Sequence, residues 1–142
     1  MAGSDCRPRP ISRWKTSLPD DRENALRRRV YISGPITKGD RQHNFEQAAD
    51  AHKTLMAAGF GVLNPMLTMR LPGAFEIPHD TWIANDLPWV AVADAVLRLP
   101  GESRGADIEC EHALIHGVPV FQDIDELKQF FSAALSGATT NA

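Results

Sequence analysis

Two carboxylates and a phenol in this chain have the chemistry to open a bond at a sugar carbon. Glu109 ends the stretch Leu97-Arg98-Leu99-Pro100-Gly101-Glu102-Ser103-Arg104-Gly105-Ala106-Asp107-Ile108-Glu109. Its pattern is a strand running into a Gly-containing turn and then a helix. Pro100 and Gly101 stop the strand. Ser103 stands where the helix begins, and Gly105 lets a ligand approach the backbone closely. Unpaired N–H groups and the helix dipole at that end favour an anion such as a phosphate. Glu109 lies about one turn in, so its carboxylate can point back toward the same crevice and is favoured there as the anion. Glycosidic bonds are commonly cleaved by one carboxylate that attacks and a second that protonates the leaving group. Asp86 is the candidate for that second role. Tyr31 lies in an apolar strand, and a hydrogen bond from its hydroxyl to Glu109 would orient the nucleophile. Taken singly, Glu109 and Asp86 also read as surface helix acids, and Tyr31 as a core tyrosine bonded to a backbone carbonyl.

Other reactive groups carry less. His112 and His116 share a helix face, but a zincin pattern would need Glu where Ala113 stands, and no third ligand follows from spacing. The acidic run Asp107–Glu111 is spread round a helix axis. Cys110 has no base partner and, with Cys6, forms no motif, so a reduced cytoplasmic setting is expected. Trp82, Trp89 and Phe75 can stack on a base or fill a core. Asp94, where a helix turns into a strand, reads as a structural turn residue. No metal or redox cofactor is implied.

The elements that must hold these groups alternate. Strands are expected at 29–33, 60–63, 93–99 and 118–121, and helices at about 44–58, from Asp80 toward Val92, at 103–116 and at 125–135. Pro88 should kink or restart the second helix. The loop 66–78 is long enough to act as a lid. Such alternation predicts an α/β fold: a three-layer, flavodoxin- or Rossmann-like parallel sheet of about four to five strands with helices on both faces and ligands at the carboxyl ends of the strands. Residues 1–28 read as a basic Pro/Arg-rich arm with a short helix at its end, 29–135 as one domain, and 136–142 as a loose tail. The 142 residues carry a net charge of -3. Residues 1–29 hold eight Lys/Arg and four Asp/Glu; the remainder holds seven and fourteen. An acidic body argues against a nucleic-acid polymer as ligand. No apolar run is long enough to span a membrane, and no secretory signal is seen.

Several motifs, weak singly and specific together, resemble the nucleoside 2-deoxyribosyltransferase-like superfamily, especially its short branch in phage and bacterial genomes. They are Val30-Tyr31-Ile32-Ser33-Gly34-Pro35-Ile36, Asn44-Phe45, Gly59 through Asn64-Pro65, Asn85-Asp86-Leu87, Ala93-Asp94-Ala95-Val96, and Leu99 through Ala106 with Glu109 and Ala113. The resemblance implies that Glu109 is the nucleophile, Tyr31 the hydroxyl that holds it, and Asp86 the acid near the leaving base. The deoxynucleoside 5′-monophosphate hydrolase branch is similar in placing a Ser where Ser103 stands. Nucleoside transferases carry an Asp there, which would repel phosphate. Ser103, Arg104 and Gly105, with Ser33, Gly34, Ile36, Lys38 and Gly39 of the first loop, are therefore the implied substrate and phosphate contacts. The chain differs from that branch at Pro88 and at Ala106-Asp107, where the branch is richer in glycine. The expected activity is cleavage of the N-glycosidic bond of a (deoxy)nucleoside 5′-monophosphate in a homodimer or larger homo-oligomer. The alternatives are base exchange, a non-catalytic nucleotide-binding module, and a metal-dependent nuclease using the acidic cluster.

Overall fold

The computed structural model describes residues 27–140, with side chains described as far as residue 133. The basic arm, its short helix and Cys6 lie outside the described residues, apart from positions 27 and 28. Among the described residues the strands β1 (Arg29–Ser33), β2 (Gly61–Leu63), β3 (Ala95–Arg98) and β4 (Val120–Phe121) form one sheet. The order is β2-β1-β3-β4 and every pairing is parallel, which is the doubly wound arrangement expected. Tyr31 lies opposite Val96, and Ser33 opposite Arg98.

The central strands are apolar on both faces, as a covered parallel sheet requires. Val30, Ile32, Ala95 and Leu97 face one core, packed against Ala48, Ala51 and Leu55 of α1 (Arg41–Ala57) and Leu127 and Phe131 of α4 (Ile124–Thr140). Tyr31 and Val96 face the other, against Val90 of α2 (His79–Val92) and Ala113 of α3 (Arg104–Ile115). Side chains alternate along a strand, so Tyr31 and Ser33 must lie on the α2/α3 face.

Four local expectations change. Helix α1 starts three residues before Asn44, because the Asp40 carboxylate caps it by accepting from Gln42 N (3.0 Å) and His43 N (3.2 Å). Asp80 is not the cap of α2; Pro78 is, and Asp80 lies in the first turn. Pro88 sits inside α2 without dividing it. The carbonyl its missing N–H leaves unpaired is that of Ala84, and both residues are exposed, so water can take the place of the helical bond. Helix α4 runs to Thr140 instead of loosening after Leu135: Gly137 alone costs about 1 kcal/mol, and no proline stops the helix.

The loop 66–78 is ordered into two short 3-10 turns, Pro65–Arg70 and Ala74–Glu76. Asn64 caps the first. The Trp82 indole donates to Ala74 O (3.0 Å), tying the second to α2. The Arg41 guanidinium lies 4.7 Å from the Phe75 ring centre and that of Arg70 lies 4.1 Å from Phe45, which joins the segment to the start of α1. No helix among the described residues is long and apolar enough to cross a membrane.

Candidate active site

The inner face of β1 supplies Tyr31 and Ser33, α2 supplies Asp86, and α3 supplies Glu109. All four are buried, with 1%, 0%, 7% and 8% of their surface exposed. The Ser33 hydroxyl lies 3.5 Å from Ala106 O, at the far limit of a hydrogen bond. Asn85 Nδ2 donates to Asp86 Oδ1 (3.1 Å). The Tyr31 hydroxyl and Glu109 Oε2 are fully buried, and neither makes a hydrogen bond of ordinary geometry to a protein atom. They are close enough to govern each other's titration. Burial, together with the Glu109 and Asp86 charges, holds the Tyr31 phenol well above its ordinary value. Burial pushes the Glu109 carboxyl up to about 7, helped by Asp86 and opposed by Tyr31, Ser33 and the Arg98 cation. Asp86 is raised by burial too, opposed by the hydrogen bond from Asn85 and by the nearby Tyr31 hydroxyl. Two carboxyls and a phenol thus meet where not every carboxyl can ionise cheaply, a common property of acid–base sites.

Glu109 and Asp86 lie on the wall of a cavity of about 630 Å³. Its apolar side comes from Met69, Phe75, Ile77, Trp82 and Ile83, and its rim from the loops after β1 and β3. Those two loops interlock. A Cβ on Gly34 would sit 2.9 Å from Leu99 Cβ, and one on Gly101 would sit 2.8 Å from Pro35 Cγ. Gly101 also has φ +116°, which a side chain rarely adopts. Arg98 holds the second loop from beneath. It donates to the carbonyls of Leu99 and Gly101 and pairs with Asp107 at 3.2 Å. Across the rim Lys38 Nζ meets Glu102 Oε1 at 2.7 Å, and Arg104 meets Asp80 at 3.0 Å.

Ser103 is the N-cap of α3, its hydroxyl accepting from Ala106 N at 3.1 Å. That hydroxyl keeps its proton to donate. Gly34, Ile36, Lys38, Ser103, Arg104 and Gly105 line the cavity together with Glu109 and Asp86. Tyr31 and Ser33 lie beneath the wall, and Gly39 shapes the loop through φ +79° without lining it. Gly105 has a use beside the one expected. A Cβ there would press on the His79 ring at 3.3 Å, so the glycine admits α2 as much as a ligand. His79 itself lines the cavity and went unnoticed in the sequence, as did Thr37, Met69 and Ile83. No spacing marks them, because their approach is set by how α2 and the 3-10 turns pack. Of the three aromatics singled out, Phe75 and Trp82 line the cavity, whereas Trp89 is 56% exposed outside it.

The remaining candidates have local roles. The Asp94 carboxylate accepts from Arg29 N at 2.8 Å and pairs with the Arg29 guanidinium at 3.6 Å, the turn role expected. The His112 and His116 rings lie tilted to each other with centres 4.2 Å apart, and His116 Nδ1 meets His112 O at 2.9 Å. Burial raises the Cys110 thiol, which makes it a poor nucleophile.

The fold has a solved counterpart. A 2-deoxyribosyltransferase from the psychrotolerant bacterium Bacillus psychrosaccharolyticus superposes with a TM-score of 0.53 at 21% identity, covering 65% of this chain and 69% of that one. No curated protein matches the sequence. Residues 28–122, well over half of the chain, match the family described as a domain of unknown function, DUF4406. The chain therefore belongs to the DUF4406 family and has the nucleoside 2-deoxyribosyltransferase-like fold.

Proposed function

We propose that this protein cleaves the N-glycosidic bond of a (deoxy)nucleoside 5′-monophosphate, with Glu109 as nucleophile. The observation that carries this reading is the pairing of two buried carboxyls, Glu109 and Asp86, over the Tyr31 hydroxyl on one wall of a nucleotide-sized cavity. Ionised Glu109 attacks C1′. The C1′–N bond breaks, its electron pair stays on the base, and Asp86 supplies the proton. Asp86, now a carboxylate, takes a proton from water as that water attacks C1′. The sugar phosphate leaves and Glu109 is regenerated. Tyr31 donates to ionised Glu109 and fixes its direction. Trp82, Phe75 and Met69 form the wall for the base. The phosphate lies at the start of α3, facing the Ser103 hydroxyl, the Arg104 and Gly105 N–H groups and Lys38.

One observation favours base exchange on an uncharged nucleoside. The cavity is lined by five carboxyls, Glu76, Asp86, Glu102, Asp107 and Glu109, against the two cations Lys38 and Arg104. A metal-free incubation with deoxynucleosides and their 5′-monophosphates, with and without a second acceptor base, separates the readings. Free base from a monophosphate, absent with Glu109→Ala, supports hydrolysis. Exchange only with an acceptor makes the protein a transferase. Saturable binding without turnover makes it a nucleotide-binding module.

A further inference from the structure

The two rim cations are both engaged, and one of them is engaged by an acid placed where the phosphate would go. Glu102 directly precedes Ser103, the N-cap of α3, and its carboxylate lies 2.7 Å from Lys38 Nζ. Glu102 and Lys38 line the same cavity as Glu109, whose Oε2 is buried without a partner. The backbone on both sides is fixed. Asn44 Nδ2 donates to the carbonyls of Lys38 (2.8 Å) and Ile36 (3.3 Å), and Gly101 is locked against Pro35. The two charged side chains are not; they are 60% and 77% exposed. An exposed pair of this kind is weak and exchanges readily for a stronger partner. A phosphate dianion carries more charge than a carboxylate and offers three acceptor oxygens.

We propose that Glu102 is a specificity-determining residue that acts as a built-in competitor for the phosphate: it occupies Lys38 at the mouth of α3, and a 5′-phosphate binds by displacing it. This inference rests on the phosphate-binding reading above. The pair sets a threshold that a dianion crosses and a neutral 5′-hydroxyl or a single carboxylate does not. Without Glu102, the rim would carry an open lysine that any anion could hold.

The test is calorimetric binding of a deoxynucleoside 5′-monophosphate, the corresponding deoxynucleoside and inorganic phosphate to the native chain, Glu102→Gln, Glu102→Ala and Lys38→Ala. Melting curves serve as a folding check. Both Glu102 variants are expected to bind the monophosphate and inorganic phosphate about two- to fivefold more tightly, the effect of removing one exposed ion pair. Their nucleoside affinity stays constant, and Lys38→Ala loses the phosphate-dependent increment. Monophosphate affinity that depends on Lys38 but is unmoved or weakened in both Glu102 variants overturns the proposal and leaves the phosphate reading intact. Monophosphate binding no tighter than the nucleoside in every form overturns both.

Discussion

Glu109 is held between burial, which keeps its proton on, and the proposed attack on C1′, which needs it off. Its carboxyl titrates at about 7 in the folded protein, against 4.5 for an unperturbed Glu. Between those values the folded chain holds a proton that the unfolded chain has lost, so stability falls as pH rises through the window and levels off above about 7. The cost on the alkaline side is about 3 kcal/mol. Glu109→Gln cannot ionise. It is expected to be about 3 kcal/mol more stable than the native chain on the alkaline side of that window and equal to it on the acid side, while turnover falls at least about a thousandfold. Urea unfolding on both sides of the window, beside the base-release assay, measures both. The attacking form carries one proton on the pair, with Glu109 ionised and Asp86 protonated, so kcat/KM of the native chain should fall with pH through an alkaline limb near 7 as the pair loses that proton. Tyr31→Phe separates function from stability in the same way. It deletes a buried hydroxyl with no ordinary hydrogen bond, so stability should stay level or rise by up to about 1 kcal/mol, while kcat/KM falls about ten- to a hundredfold. A variant that loses several kcal/mol and keeps full activity would show the hydroxyl to be structural.

The interlock between the loops after β1 and β3 matters most among the elements, because it sets where α3 begins and so where Ser103 and Glu109 stand. Gly101→Ala combines a strained φ with a clash on Pro35, whereas Gly59→Ala has φ +96° and nothing within 4 Å. Gly59→Ala should therefore cost only the backbone strain of about 1 kcal/mol, and Gly101→Ala about 2 to 3 kcal/mol with loss of activity. Equal losses in denaturant titrations would mean that the loops do not brace each other. Pro88→Ala should restore the N–H that the Ala84 carbonyl lacks and raise the melting temperature, with a gain of about 1 to 3 kcal/mol. A fall in melting temperature would mean that the fold relies on proline at this position.

At the scale of the whole molecule, the α2/α3 face carries both the site and an apolar surface. Trp89 and Val92 at the end of α2, and Leu114 and Ile115 at the end of α3, are 51–72% exposed. Apolar side chains at the same end of two packed helices are costly to leave in water. We expect a homo-oligomer joined through this face. Sedimentation equilibrium should give a mass above the 15.6 kDa chain, reduced to that of the monomer by Trp89→Asp with Leu114→Asp. A monomeric native chain at high concentration would remove the oligomer from the reading.

The fold was legible in the sequence because its cause is local. Val30-Tyr31-Ile32 and Ala95-Val96-Leu97 are apolar runs bounded by Gly and Pro, and between them lie helical spacings long enough for right-handed crossovers. Glu109, Asp86 and Tyr31 could be named as candidates from residue type and motif. Tertiary structure alone decided that they meet, since only the packing of α2 beside α3 on the Tyr31 face of the sheet joins positions 31, 86 and 109. It alone brought His79 against Gly105, set Lys38 on Glu102 and left Trp89 outside the cavity. The same packing raised the Glu109 carboxyl, because desolvation comes from neighbours that are distant in the chain. Periodicity and turn chemistry are written into adjacent residues, whereas burial, ion pairing and titration belong to contacts that exist only once the chain has closed on itself.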